Sequence, residues 1–178
     1  MNRLHLAVMS NNFQYVRYVL LRFQDIDVDE LTSQYRSALH HACRRGNLDV
    51  ISLLLQVGAD PNILDDQDQS PMIYFFHGNT TDNPWVIHEL MTYGASFFIY
   101  DINGHNSIHL AAKKSFNGSL ETLLSFGCFP DHVDPQGRTG LHLAVFAENT
   151  EGVKLLITYH ANVNFADYDG KYYPFLFN

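Results

Sequence analysis

Four of the ten histidines recur in one local setting, and their chemistry decides how the chain is read. They stand in Leu4-His5-Leu6-Ala7, Leu39-His40-His41-Ala42, Ile108-His109-Leu110-Ala111 and Leu141-His142-Leu143-Ala144. Imidazoles bind zinc when several ligands converge within a few ångströms. They act as general bases when a nucleophile lies within hydrogen-bond reach. The spacing supports neither role. Counting a degenerate copy, Met72-Ile73-Tyr74-Phe75, the alanine position runs 7, 42, 75, 111 and 144, in steps of 35, 33, 36 and 33 residues. A fixed period of this size marks stacked supersecondary units, each burying its apolar face on its neighbours. Packed layers lie about 10 Å apart, so the histidines form a ladder and do not cluster. The adjacent pair His40-His41 faces different sides of a helix and cannot chelate together. Gly-x-Ser-x-Gly, a phosphate-cradling loop, His-Glu-x-x-His and Cys-x-x-Cys are absent. No catalytic residue, metal ligand or cofactor is therefore expected.

The elements that position the ladder follow from the same pattern. Each unit reads as a short helix, a turn, a second helix and a hairpin-like connector. In the second unit Ser37 caps a helix whose inward residues are Ala38, Leu39 and Ala42. Arg44-Arg45-Gly46-Asn47 breaks it, Val50 to Leu55 form the second helix, and Gly58 supplies a left-handed stop. Pro61 and Asn62 favour a turn in the connector. The fifth unit repeats this with Thr139, Leu141 and Ala144, then Val153 to Ile157, then His160-Ala161-Asn162-Val163-Asn164. The expected organisation is one all-α solenoid domain over 1–178. Its five helix-turn-helix repeats fall near 1–33, 34–66, 67–102, 103–135 and 136–168, with a partial sixth repeat or cap over 169–178.

Composition narrows the function classes. A hydrophobic content of 46% is ample for a core. No stretch reaches the roughly 18 apolar residues of a membrane helix, and no charged segment followed by an apolar run opens the chain. Two isolated cysteines, Cys43 and Cys128, suit a reducing compartment, so a cytoplasmic and also nuclear location is expected. Sequons at Asn79 and Asn117 are read as chance matches. A net charge of -8 argues against nucleic-acid binding. Of the 19 acidic residues, 13 fall in the connectors. That predicts a negative edge able to steer a partner with a basic segment, although aspartate is also a common turn residue.

The units resemble the ankyrin repeat family, whose motif Thr-Pro-Leu-His-x-Ala recurs about every 33 residues. Ser37-Ala38-Leu39-His40-His41-Ala42, Asn106-Ser107-Ile108-His109-Leu110-Ala111 and Thr139-Gly140-Leu141-His142-Leu143-Ala144 carry the likeness over essentially the whole chain. The resemblance implies a monomeric, non-catalytic protein-binding module. It also implies that the ladder histidines hydrogen-bond backbone in the next repeat. The units look most like the ankyrin domain of NF-kappa-B inhibitors, which suggests a transcription-factor regulator. A substrate adaptor of a ubiquitin ligase and the ankyrin part of a larger signalling protein or channel are the competing readings.

Candidate contact residues come from position. The residues after each motif alanine end the first helix, on the face such proteins commonly present to partners. They include Arg44 and Arg45, Lys113 and Lys114, and Phe146. Aromatics and arginine dominate interface hot spots, so Phe76 and Trp85 of the irregular third repeat are added. That repeat carries three extra residues between its helices, within Gly78 to Pro84, and Phe75 in place of alanine. Asn62 resembles connector asparagines that are hydroxylated in some ankyrin proteins, which makes it a candidate modification site.

Overall fold

The computed structural model describes residues 2–23 and 25–171. Among these lie ten helices and no strand: α1 (Arg3–Met9), α2 (Phe13–Arg22), α3 (Ala38–Arg45), α4 (Leu48–Gln56), α5 (Pro71–Gly78), α6 (Pro84–Thr92), α7 (Ser107–Lys114), α8 (Asn117–Ser125), α9 (Gly140–Phe146) and α10 (Thr150–Thr158). Odd-numbered helices pack on one another in chain order, and even-numbered helices form a parallel second row. Of the expected partial sixth repeat over 169–178, residues 172–178 lie outside the described residues.

Helices of seven to ten residues are too short to stand alone in water. Caps and tertiary packing hold them. The motif leucines and alanines supply the packing: Leu4, Ala7, Leu39, Ala42, Met72, Phe75, Ile108, Ala111 and Ala144 are all buried. Complete burial of one leucine contributes about 1.5–3 kcal/mol. The ladder histidines supply the caps. The Ser37 amide donates to His40 Nδ1 at 3.1 Å, and His40 Nε2 reaches the Gln69 carbonyl of the next connector at 3.1 Å. His5 reaches Arg36 O, His109 reaches Arg138 O and His142 reaches Lys171 O at 3.0, 2.9 and 3.4 Å. Each ring therefore ties a helix start to the following repeat, as the family resemblance implied.

Connector acids close the hairpin turns. Asp65 Oδ1 accepts the amides of Gln67 and Gln69 at 2.9 and 3.0 Å. Asp101, Asp134 and Asp167 do the same for residues two and four places on. These four carboxylates are buried, which corrects the expectation that the connector acids all form a solvated edge. Of the connector acids left exposed, Asp25, Asp27, Glu30, Asp60, Asp66 and Asp68 lie in the first two connectors and Asp169 in the last.

The third repeat departs from its neighbours where the sequence does. Residues 79–83 separate its helices, against 46–47 in the second repeat. Phe75 and Phe76 fill the interior and meet Phe116 of the fourth repeat at 6.2 Å. Ile73 occupies the histidine position, and the buried Ser70 hydroxyl has no partner.

Candidate protein-interaction surface

The ends of α3, α5, α7 and α9 lie beside the hairpin turns and line a row of clefts. Arg44, Arg45 and Lys113 are exposed there, and no carboxylate lies within ion-pair distance of them among the described residues. Phe146 is 56% exposed at the end of α9, and with Lys113, Arg138 and Leu143 it lines one cleft.

Three expected contact residues are placed differently. Phe76 is fully buried, edge-on to Phe75 at 5.3 Å, so it belongs to the core and cannot touch a partner. It was a candidate because aromatics dominate interface hot spots. Here α5 is buried on every side from Pro71 to Phe76. Lys114 donates to the Asn79 carbonyl at 2.7 Å and covers the Phe116 ring at 5.1 Å. Its ammonium, whose pKa burial lowers, closes the end of α5 instead of pointing out. Trp85 is 66% exposed, but it stands at the start of α6 in the second row, near His88, away from the cationic row.

Asn62 spans two connectors. Its amide donates to Gly94 O at 2.9 Å and accepts the Ser96 amide at 2.7 Å. Phe98 takes the equivalent place one repeat on. It makes no such bond and meets His132 edge-on at 5.2 Å, as Phe129 does at 5.7 Å. Phe98 and Phe129 are 53% and 58% exposed, an aromatic patch that position counting passed over. The available signal was an aromatic at a position where the other connectors carry asparagine or aspartate.

A polar cleft lies between the second and third hairpin turns. This cleft of about 250 Å³ is lined by Arg36, Arg44, Gln67, Gln69, Tyr74, His77, Ile102 and Asn103. Two carboxylates border it, and both are saturated. Asp65 Oδ2 accepts Tyr74 Oη at 2.5 Å and lies 3.5 Å from Arg36 Nε. Burial would raise its pKa, but hydrogen bonds from Tyr74, Gln69 and Gln67 outweigh that and hold it below the usual range. Asp101 Oδ2 faces His77 Nε2 at 3.3 Å and accepts Asn103 Nδ2 at 3.3 Å. Backbone and side-chain bonds from His105 and Asn103 likewise overcome its burial. Among the described residues no histidine, cysteine or acid group is arranged to hold a metal ion. Burial pushes the Cys128 thiol up to about 12 and the Cys43 thiol higher, so both stay protonated.

Short antiparallel helices stacked in two rows and joined by hairpin turns define a repeat scaffold with a continuous face. A family model described as ankyrin repeats (three copies) matches residues 4–81 and 76–167, and the chain belongs to that family. Among curated proteins it is similar to the E3 ubiquitin-protein ligase KEG of Arabidopsis thaliana, 27% identical over 84% of this chain and 10% of the ligase. It is also similar to the putative palmitoyltransferase ZDHHC13 of Danio rerio, 28% identical over 94% of this chain and 26% of that protein. The chain thus spans at most about a quarter of those relatives. Among solved structures, the ankyrin repeat domain of Bcl-3, described as a member of the IkappaB family, superposes with a TM-score of 0.83 at 26% identity, covering 97% and 77% of the two chains. An ankyrin repeat domain from Acinetobacter baumannii AYE gives 0.82 at 26%, covering 94% and 85%. No helix among the described residues is long and apolar enough to cross a membrane.

Proposed function

We propose that this chain is a monomeric, non-catalytic protein-binding module that seats its partner on the concave face formed by the first helices and hairpin turns. One observation carries the reading. In a chain of net charge -8, Arg44, Arg45 and Lys113 project unpaired from equivalent helix ends on that one face. Arginine and aromatic side chains are enriched at interface centres, and Phe146 lies exposed with Lys113 in a cleft of that face. The fit to Bcl-3 supports the narrower reading of an NF-kappa-B-inhibitor-like regulator of a transcription factor, acting in cytoplasm and nucleus. The exposed acids of the first two connectors support a basic segment on the partner. The similarity to a plant ubiquitin ligase favours a second reading, substrate capture for a ligase. Affinity purification with the intact chain and with an Arg44→Glu/Arg45→Glu/Lys113→Glu variant tests the proposal. Partners retained equally by both, with both folded by circular dichroism, would overturn the assignment of this face. Rel-family subunits among the lost partners select the regulator, and ligase substrates select the adaptor.

A further inference from the structure

We infer that the cleft between the second and third hairpin turns is a seat for an acidic side chain, a glutamate or aspartate carboxylate carried by an extended segment of the partner. This rests on the protein-binding reading and gives the partner a chemistry at that face.

The cleft lies where two adjacent hairpin turns share no backbone hydrogen bond. The Asp66 amide donates to Gln34 O at 3.2 Å, linking the first and second turns, and the Tyr168 amide donates to Gln136 O at 3.0 Å, linking the fourth and fifth. No corresponding bond runs from Ile102 to Gln67 among the described residues. The gap is left open, with Ile102 71% exposed at its rim.

Its polar walls offer donors. Arg36, Arg44 and His77 converge on one cavity in a chain with only 11 lysines and arginines. Two of these already face carboxylates, Arg36 that of Asp65 and His77 that of Asp101. Asp65 and Asp101 are buried, and each spends one oxygen on two backbone amides of its own turn. Asp65 spends the other on Tyr74 and Arg36, and Asp101 spends the other on His77 and Asn103. Arg44 has no carboxylate partner at all among the described residues. An incoming carboxylate would accept from its guanidinium fork, a strong charge-assisted geometry. The exposed side chain of Ile102 would cover the methylenes. A basic side chain would meet the same groups as a repulsive contact, so the cleft also discriminates.

The test uses the intact chain, a fluorescently labelled glutamate-rich peptide, and glutamine-rich and lysine-rich counterparts. Anisotropy gives the affinities, and amide chemical shifts locate the contact. Binding of the glutamate peptide, with shifts concentrated at Gln67, Tyr74, His77 and Asn103, is the expected result. Arg44→Glu should weaken it by about tenfold or more, whereas Lys154→Glu on α10, an equal change of charge elsewhere, should leave it nearly unchanged. No detectable binding, equal affinity for the glutamine peptide, or equal loss in both variants would overturn the proposal. So would a partner captured by the wild-type chain that the glutamate peptide does not displace, and that result would leave the protein-binding reading standing. Glutamate peptide seated at the cleft with no protein ever captured would support the seat and remove the broader reading.

Discussion

The Asp82 carboxylate accepts the Ser119 hydroxyl at 2.5 Å and the Ser119 amide at 3.1 Å, so the loop of the third repeat caps α8 of the fourth. The Gly118 amide joins them at 2.8 Å. The second helices of the first, second and fifth repeats carry their own caps in Asn12, Asn47 and Asn149. In the fourth repeat Phe116 holds that place, buried against Phe75 and Phe76. The lengthened loop thus restores across the repeat boundary what Phe116 removes. Asp82→Ala should cost about 1–2 kcal/mol, the usual loss for an N-cap. Urea titration measures it, and faster amide exchange at Gly118 and Ser119 should accompany it. Unchanged exchange there would show that the cap is not needed.

Ser37 and Ser70 precede equivalent helices but face different partners. Ser37 Oγ lies 3.0 Å from His40 Nδ1, whereas Ile73 stands at the histidine position after Ser70 and leaves its buried hydroxyl unbonded. Removing one partner of a buried hydrogen bond costs about 1–3 kcal/mol, and removing an unsatisfied hydroxyl costs nothing of that kind. Ser37→Ala should therefore lower the denaturation midpoint, while Ser70→Ala should hold it level or raise it. Equal losses in both variants would contradict the account.

The fold was legible because its signals agree at several levels: period, motif leucine and alanine, capping residue and stop glycine all recur together. The exposure of the candidate contact residues was only partly legible. Arg44, Arg45, Lys113 and Phe146 project where their position after the motif alanine placed them, because a helix end fixes direction. Phe76 and Lys114 did not follow, because their surroundings are set by Phe116, 40 residues after Phe76, and by Asn79, 35 residues before Lys114. The acids misled for a related reason. Composition counts charges but does not show that Asp65, Asp101, Asp134 and Asp167 turn inward onto backbone amides.

Acid should weaken this fold before it protonates most carboxylates. Burial lowers the pKa of His5, His40 and His105, and lowers His109 to about 4. An unfolded histidine titrates near 6.5, so between roughly pH 6.5 and 4 the unfolded chain binds protons that the folded chain refuses. Stability is then complete above that window and falls as pH drops through it. His109 alone accounts for on the order of 2–3 kcal/mol across the window. Below it, the loss of Asp65, Asp101 and Asp134 ionisation, held low in the fold, adds to the decline. Urea midpoints at closely spaced pH values should fall steadily from neutrality, with the His109 ring resonances titrating well below pH 6. A flat profile to pH 4.5 would refute the buried neutral ladder.

Phe76 and Phe146 separate packing from recognition. Phe76→Ala empties a fully buried site and should cost about 3–5 kcal/mol. Phe146→Ala, at an exposed helix end, should change stability by no more than about 0.5 kcal/mol yet weaken partner capture. A Phe146 variant that unfolds, or a Phe76 variant that does not lose stability, would invert the assignment.

Gly78 sets the approach of α5 to α3, and through it the placing of Arg44. A methyl group built on Gly78 would overlap the Arg44 carbonyl and the Cγ of its side chain. Alanine in a helix is ordinarily better than glycine by about 0.8–1 kcal/mol, so propensity alone predicts that Gly78→Ala stabilises. Overlap with a backbone carbonyl cannot be relieved by a rotamer change, and forcing extra bulk into a packed contact costs about 1–3 kcal/mol. The second effect is the larger. Gly78→Ala should lower stability modestly and push Arg44 away from His77, weakening the glutamate peptide along with it. Amide shifts in the variant should spread along Cys43 to Gly46. If the variant proves more stable and the peptide binds as before, α3 and α5 do not meet as closely as Gly78 implies.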